Sequence, residues 1–182
     1  MSKANLHRSW FARLRSFAGR DREMQVALVE AAVRLTILHA AYLGMTHEQK
    51  ARYFGRASPS AVGEAFNLDM VLDDRQIAQA WMVRRAIDRA VAFLPQDIVC
   101  LPQAMVARRM LRRRGIASVM FFGVEDGTKA AAAGTHAWIT AGPVPVAGFP
   151  QRARYHAFAA YLPSEVGINV ETVPAADPRI GL

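Results

Sequence analysis

One cysteine, Cys100, stands in 182 residues. That scarcity excludes an internal disulfide and any metal site built on several thiolates. A chain with no disulfide suits a reducing compartment, so a cytoplasmic location is expected. The 5 histidines are scattered without ligand spacing, and no metal or cofactor is expected. Lysine is rare, and acids are outnumbered: 15 Asp and Glu against 23 Lys and Arg, a net charge of +8. An excess of this kind points to nucleic acid, an acidic peptide or an anionic surface, or to a solvated Arg-rich face. No repeat, low-complexity tract or known nucleic-acid motif accompanies it. The basic start, "MSKANLHRSWFARLRSFAGRDRE", lacks the continuous apolar run of a secretory signal.

Only one long stretch is strongly apolar: "VALVEAAVRLTILHAAYL", from Val26 to Leu43. Glu30, Arg34 and His39 interrupt it, and charges at mid-span are costly in a bilayer. Glu30 and Arg34 are one helical turn apart and can pair on a narrow polar face. No transmembrane segment is therefore expected. The stretch reads as a helix buried on most sides, with His39 packed in the core.

What is present is a globular composition, 52% hydrophobic, in a chain long enough for one domain with a sizeable core. The first half reads as helical. Thr46 and Gln49 form a capping box, and a short helix should end near Gly55. Ser58 and Pro59 offer another start. Asp73 or Asp74 caps a long helix that Pro95 stops; Ala80, Val83, Ile87, Ala90 or Val91, and Leu94 recur on its core face. A further helix, from about Leu101 to Arg114, ends at Gly115. Its Leu101, Met105 and Leu111 share a face, and Arg108, Arg109, Arg112, Arg113 and Arg114 lie mostly elsewhere.

After Gly115 the period changes from helix to strand. "IASVMFFGV" is a strand, "EDGT" holds a turn and "KAAAAG" is a loop. "THAWITA" alternates, with His136, Trp138 and Thr140 on one face and Ala137 and Ile139 on the other. "GPVP" makes a turn, "VAGF" and "YHAFAAYLP" are short strands, and a loose tail follows from Ser164. Helices followed by an antiparallel sheet predict an α+β fold, with the Cys-bearing helix packed on a small sheet.

Cys100 falls where its helix begins. A helix N-terminus and a neighbouring imidazole are the two settings that favour a thiolate nucleophile. Position supplies the first, and His136 on a later strand can supply the second. His156 is a rival base. A buried, inert thiol is the alternative, since free cysteine is among the most buried residue types.

The run "CLPQAMVARRMLRRRGI", with "GTHAWI" and "YHAFAAYLP" after it, resembles the leader-peptidase family of lasso-peptide biosynthesis. That family is transglutaminase-like and belongs with the papain-like cysteine hydrolases. The likeness extends from about Met24 to Pro163. It implies a helical region over residues 1–95, a transglutaminase-like catalytic core over 96–163 and a loose tail over 164–182, within one structural domain. It implies a cysteine peptidase that removes the leader of a ribosomally made precursor peptide. A separate ATP-dependent synthetase would then close the macrolactam. Cys100 matches the nucleophile and His136 the general base.

The family's third residue is an Asp on the next strand. Here that place falls near Ala147 and Gly148, where no carboxylate stands. Asp97 is the nearest acid to Cys100 in sequence; a water or a backbone carbonyl can also orient an imidazole. If the strand register follows the family, an aspartate installed at Gly148 should preserve or raise activity. Trp138 shares the His136 face and is expected to pack, or else to line the substrate site. Some members carry a leader-recognition domain at the N-terminus. This chain begins with helices, so the likeness implies a separate leader-binding protein. Two other readings stay open: a catalytically impaired scaffold in the same maturation complex, and a basic nucleic-acid-binding helical protein.

Overall fold

The computed structural model describes residues 19, 21–42, 44–46, 48, 49, 54, 56, 57, 71–95, 97–125, 136–148 and 155–162. The basic start, the helix expected from Ser58, the end of the helix near Gly55, the turn and loop after Glu125 and the tail from Ser164 lie outside these residues.

Helix α1 spans Arg22–Tyr42, and Asp21 opens it by accepting a 2.7 Å hydrogen bond from the Met24 amide. Met24, Ala27, Ala31, Leu35 and Leu38 recur every three or four residues and are buried. The other side corrects the expectation of a helix buried on most sides. Val26, Val29, Val33 and Ile37 are 51–65% exposed. By length and composition α1 is apolar enough to cross a membrane. Ala27, Ala31 and Leu35, with no exposed surface at all, instead make it one layer of the core. His39 is half-buried.

The Thr46–Gln49 box forms: Gln49 Oε1 accepts from the Thr46 amide at 2.9 Å, and Thr46 Oγ1 accepts from the Gln49 amide at 3.3 Å. Helix α2 spans Asp74–Phe93, with Asp73 as cap and Gln76 completing the reciprocal pair. Its buried face is Ala80, Val83, Ala86, Ile87 and Ala90. Leu94 turns to extended backbone ahead of Pro95. Helix α3 spans Cys100–Arg112, so the cysteine occupies the first helical position. Gly115, at φ +66°, supplies the left-handed residue that ends the run.

The arginine run of α3 is not a free cationic face. Arg108 is buried, and its Nη1 donates to the Tyr161 carbonyl at 3.1 Å. Desolvation, with Arg112 nearby adding repulsion, pulls its pKa down to about 10. Arg113 and Arg114 reach Glu30 of α1 at 3.6 and 3.1 Å, where Arg34 is already bound at 3.0 Å. One carboxylate thus ties the end of α3 to the middle of α1.

Among the described residues are five antiparallel strands: β1 (Arg56–Ala57), between α1 and α2, and, after α3, β2 (Val119–Glu125), β3 (His136–Ala141), β4 (Val144–Ala147) and β5 (Tyr155–Leu162). Their order in the sheet is β1-β5-β2-β3-β4. The two-residue β1 has no signal in the sequence pattern; it exists through pairing with Tyr161 and Leu162. The expected turn at "GPVP" is shorter than predicted, because the strand resumes at Val144 and includes Pro145. Proline is tolerated there because β4 is an edge strand.

Met120, Ile139, Ala141, Val144 and Val146 join the three helices in one core. Val119, Phe121, Trp138 and Ala160 form a second, smaller cluster. The architecture is α+β: among the described residues, three helices on a small antiparallel sheet.

Candidate active site

A cleft of about 260 Å³ opens where the start of α3 meets the β3–β4 hairpin. Cys100, Gln103, His136, Arg84, Asp88 and the stretch Pro145 to Gly148 line it. Residues far apart in sequence converge here for separate local reasons.

Cys100 is half-buried at the first position of α3. Val99 caps the helix without a side-chain hydrogen bond. Pro102, in the first turn, has no amide hydrogen to satisfy. Gln103 steadies the approach, since its Nε2 donates to the Ile98 carbonyl at 2.6 Å. The first amides of α3, Cys100 among them, point out of the helix start, the polarity that suits a developing oxyanion.

His136 is the first residue of β3 and pairs with Gly123 of β2. Its Nε2 is hydrogen-bonded to the carbonyl oxygen of Gly148. A carbonyl can only accept, so Nε2 carries the hydrogen and Nδ1 is the proton-accepting nitrogen of the neutral ring. Trp138, two residues along the same face, stacks near the His136 ring with centroids 6.2 Å apart. It also stacks on Phe121 at 5.5 Å. At 6% exposure Trp138 packs beside the imidazole and is not among the residues lining the cleft.

The third position is filled by backbone. Gly148 stands where the resemblance places an aspartate, and its carbonyl makes the contact that a carboxylate would make. Gly148 has φ +76°, and a Cβ there would lie 2.1 Å from the Ala137 oxygen and 2.9 Å from the Trp138 Cα. The geometry therefore runs against the expectation that an aspartate installed at this position preserves or raises activity. Both obstacles are backbone atoms of β3, the strand that carries His136. Asp97 is exposed and is not among the residues lining the cleft. His156 lies on β5, and β2 separates that strand from β3.

Sequence reasoning missed Arg84 and Asp88. They extend from α2, whose spacing announced only a core face. Arg84 Nη1 donates to the Pro145 carbonyl at 2.8 Å, and its guanidinium lies 5.2 Å from the centre of the Trp81 ring. Asp88 Oδ2 is 3.7 Å from Arg84 Nε. Partial burial raises the Asp88 pKa, against the opposing pull of Arg84 and Arg89. Among the described residues no group of three or more His, Cys, Asp or Glu could hold a metal ion.

A family model described as the transglutaminase-like superfamily matches residues 26–160. No curated protein and no solved structure matches the chain. The matched span contains all but the first four residues of α1, the whole of α2 and α3, the β3–β4 hairpin and every residue lining the cleft.

Proposed function

The chain belongs to the transglutaminase-like superfamily, and from that premise we propose that it is a cysteine peptidase that removes the leader of a lasso-type precursor peptide. The observation that carries this reading is the His136 imidazole, held in one tautomer by the Gly148 carbonyl, in the same cleft as Cys100. The superfamily supports the hydrolase class; the leader as substrate rests on the sequence resemblance around Cys100 and His136.

In the proposed mechanism His136 Nδ1 takes the Cys100 thiol proton as sulfur attacks the scissile carbonyl. The oxyanion faces the α3 N-terminus, where the Cys100 amide is a donor. Collapse breaks the C–N bond, and the imidazolium returns its proton to the leaving amine. Water, deprotonated by His136, then hydrolyses the thioester and frees the leader acid and the thiol. A cytoplasmic setting, a separate leader-binding protein and a macrolactam-forming synthetase that uses the freed amine complete the proposal.

One observation favours a second reading, a scaffold with little turnover. A neutral carbonyl orients the imidazole but stabilises the imidazolium less than a carboxylate does. The nucleic-acid reading keeps the net charge of +8 and the exposed Arg109 and Arg112, but Arg108 is buried and Arg113 and Arg114 are paired to Glu30.

The test is a mass-spectrometric time course of leader release from precursor, with wild type and Cys100→Ala, each with and without the leader-binding protein. The peptidase reading expects slow release by wild type alone, faster release with the partner and none from Cys100→Ala. Release by Cys100→Ala at the wild-type rate would sink it. No release by wild type in either arm would favour the scaffold.

A further inference from the structure

We propose that Arg84 is a positioning residue for His136, acting through the backbone of β4. The activity arm of this proposal rests on the peptidase reading; the tautomer arm does not. The observation behind it is the way β4 is held. This strand is the edge of the sheet and only four residues long. Its pairing with β3 contains a bulge: Ile139 faces Ala147 and Thr140 faces Pro145, so Val146 is the extra residue. A bulge interrupts the ladder and leaves the extra residue unpaired, so pairing with β3 holds β4 least well just ahead of Gly148. Yet Gly148, directly after β4, must present its carbonyl to His136 Nε2. A small shift of β4 would turn that carbonyl away and release the ring.

Arg84 fixes the strand at the bulge. Its Nη1 holds the Pro145 carbonyl at 2.8 Å across from α2. The guanidinium is itself fixed by its own helix. Trp81, one turn before, lies under it at 5.2 Å, and Asp88, one turn after, faces Nε at 3.7 Å. These restraints act before the strand is engaged, so little freedom is lost on bonding Pro145. The path from α2 to the imidazole is short and physical: Arg84, the Pro145 carbonyl, three residues of backbone, the Gly148 carbonyl, His136 Nε2.

The experiment is a long-range ¹⁵N–¹H correlation spectrum of the neutral His136 ring in the full chain, for wild type, Arg84→Ala, Arg84→Lys and Asp88→Asn. Thermal melting of each variant confirms that it is folded. Wild type should show the Nε2–H tautomer. Arg84→Ala should show a mixture of tautomers, and Arg84→Lys, which can still donate to Pro145, should recover part of the wild-type pattern. Asp88→Asn, which removes one of the two restraints on the guanidinium, should change the pattern less than Arg84→Ala does. In the precursor assay Arg84→Ala should lower kcat about 10- to 100-fold with KM little changed, the size expected for a misplaced catalytic group. A wild-type tautomer pattern in folded Arg84→Ala would overturn the proposal. A larger change in Asp88→Asn than in Arg84→Ala would also overturn it, because the proposed path runs from Asp88 through Arg84. If Arg84→Ala does not fold, a wild-type pattern in Arg84→Met, which keeps the aliphatic bulk but cannot donate to Pro145, would be the overturning result. If wild type releases no leader, the peptidase reading fails, and the spectra still decide the role of Arg84.

Discussion

Cys100 and His136 face one cleft, but they are held there in different ways. Cys100 rides on α3, a helix whose Met105, Met110 and Leu111 have no exposed surface and whose far end is clamped to Glu30. Side chains fix it. His136 opens a strand of a bulged edge hairpin, and its ring is oriented by the main chain of Gly148. A site half specified by side-chain packing and half by backbone shape should respond unequally to substitution. Conservative changes should be absorbed around the cysteine and felt around the histidine.

The largest effect should come at Gly148. Its φ of +76° lies in the region that L side chains rarely adopt, and a Cβ would meet the Ala137 oxygen at 2.1 Å. Even Gly148→Ala must push β3 or the Gly148 segment apart. The positive φ alone costs on the order of 1–3 kcal/mol, and displacing the imidazole should cost about 100-fold in leader release. Gly148→Asp should be at least as damaging, although it restores the acid that the resemblance places there. Leader release and the thermal midpoint are the measurements. A Gly148→Asp enzyme as fast as wild type would mean that the backbone contact is dispensable and that the comparison drawn above is wrong.

His136→Ala should come next, removing most activity with little change in fold, since His136 is only half-buried. His156→Ala should leave the rate near wild type, because its strand is separated from β3 by β2. Reversed results would move the base to β5.

The legible parts of this molecule are those written as side-chain periodicity and local capping. The Thr46–Gln49 box, an aspartate cap at residue 73 or 74, the Pro95 stop, the Gly115 terminator and most of the core face of α2 can all be read from neighbours a few residues apart. Three features could not be read. Arg84 lies on a helix whose pattern announces only burial, and its partner Pro145 is 61 residues away. Arg108 looks like one more surface cation until the Tyr161 carbonyl is placed beside it. The Gly148 contact involves no side chain at 148 at all, so a search for a carboxylate was bound to find a gap. The exposed valine stripe of α1 misled in the opposite sense, because its hydropathy is that of a buried helix while only one face is used.

A smaller effect, on stability, tests the cysteine side of the comparison. The Glu30 side chain is 15% exposed, and those of Arg34 and Arg114 are 21% and 16% exposed. Glu30→Gln leaves two largely buried guanidiniums without their charge partner, a loss that typically costs about 3 kcal/mol. Urea unfolding should show this as a lower midpoint at unchanged slope. The His136 tautomer should not change, because Glu30 joins α1 to α3 and touches neither β3 nor β4. A tautomer change in Glu30→Gln would show that the two halves of the site are mechanically coupled.

The smallest effect should come from Asp88→Asn. Partial desolvation raises the Asp88 pKa above its ordinary value of 3.8, although Arg84 and Arg89 pull the other way. The folded state therefore binds this proton more readily than the unfolded chain. At neutral pH the ionised carboxylate is a slight liability to the fold, and the liability fades as pH falls through the raised folded pKa toward 3.8. Asn, which never ionises, removes it. The Asp88 side chain is 61% exposed, so solvent screens the effect and the change should stay within about 0.5 kcal/mol. Asp88→Asn should thus melt slightly higher than wild type at pH 7, with the two curves converging at acidic pH. A variant that is less stable at pH 7, with the gap closing on acidification, would show that the Arg84–Asp88 ion pair outweighs desolvation. In that case the arginine that holds β4 would depend on its carboxylate neighbour as well as on Trp81.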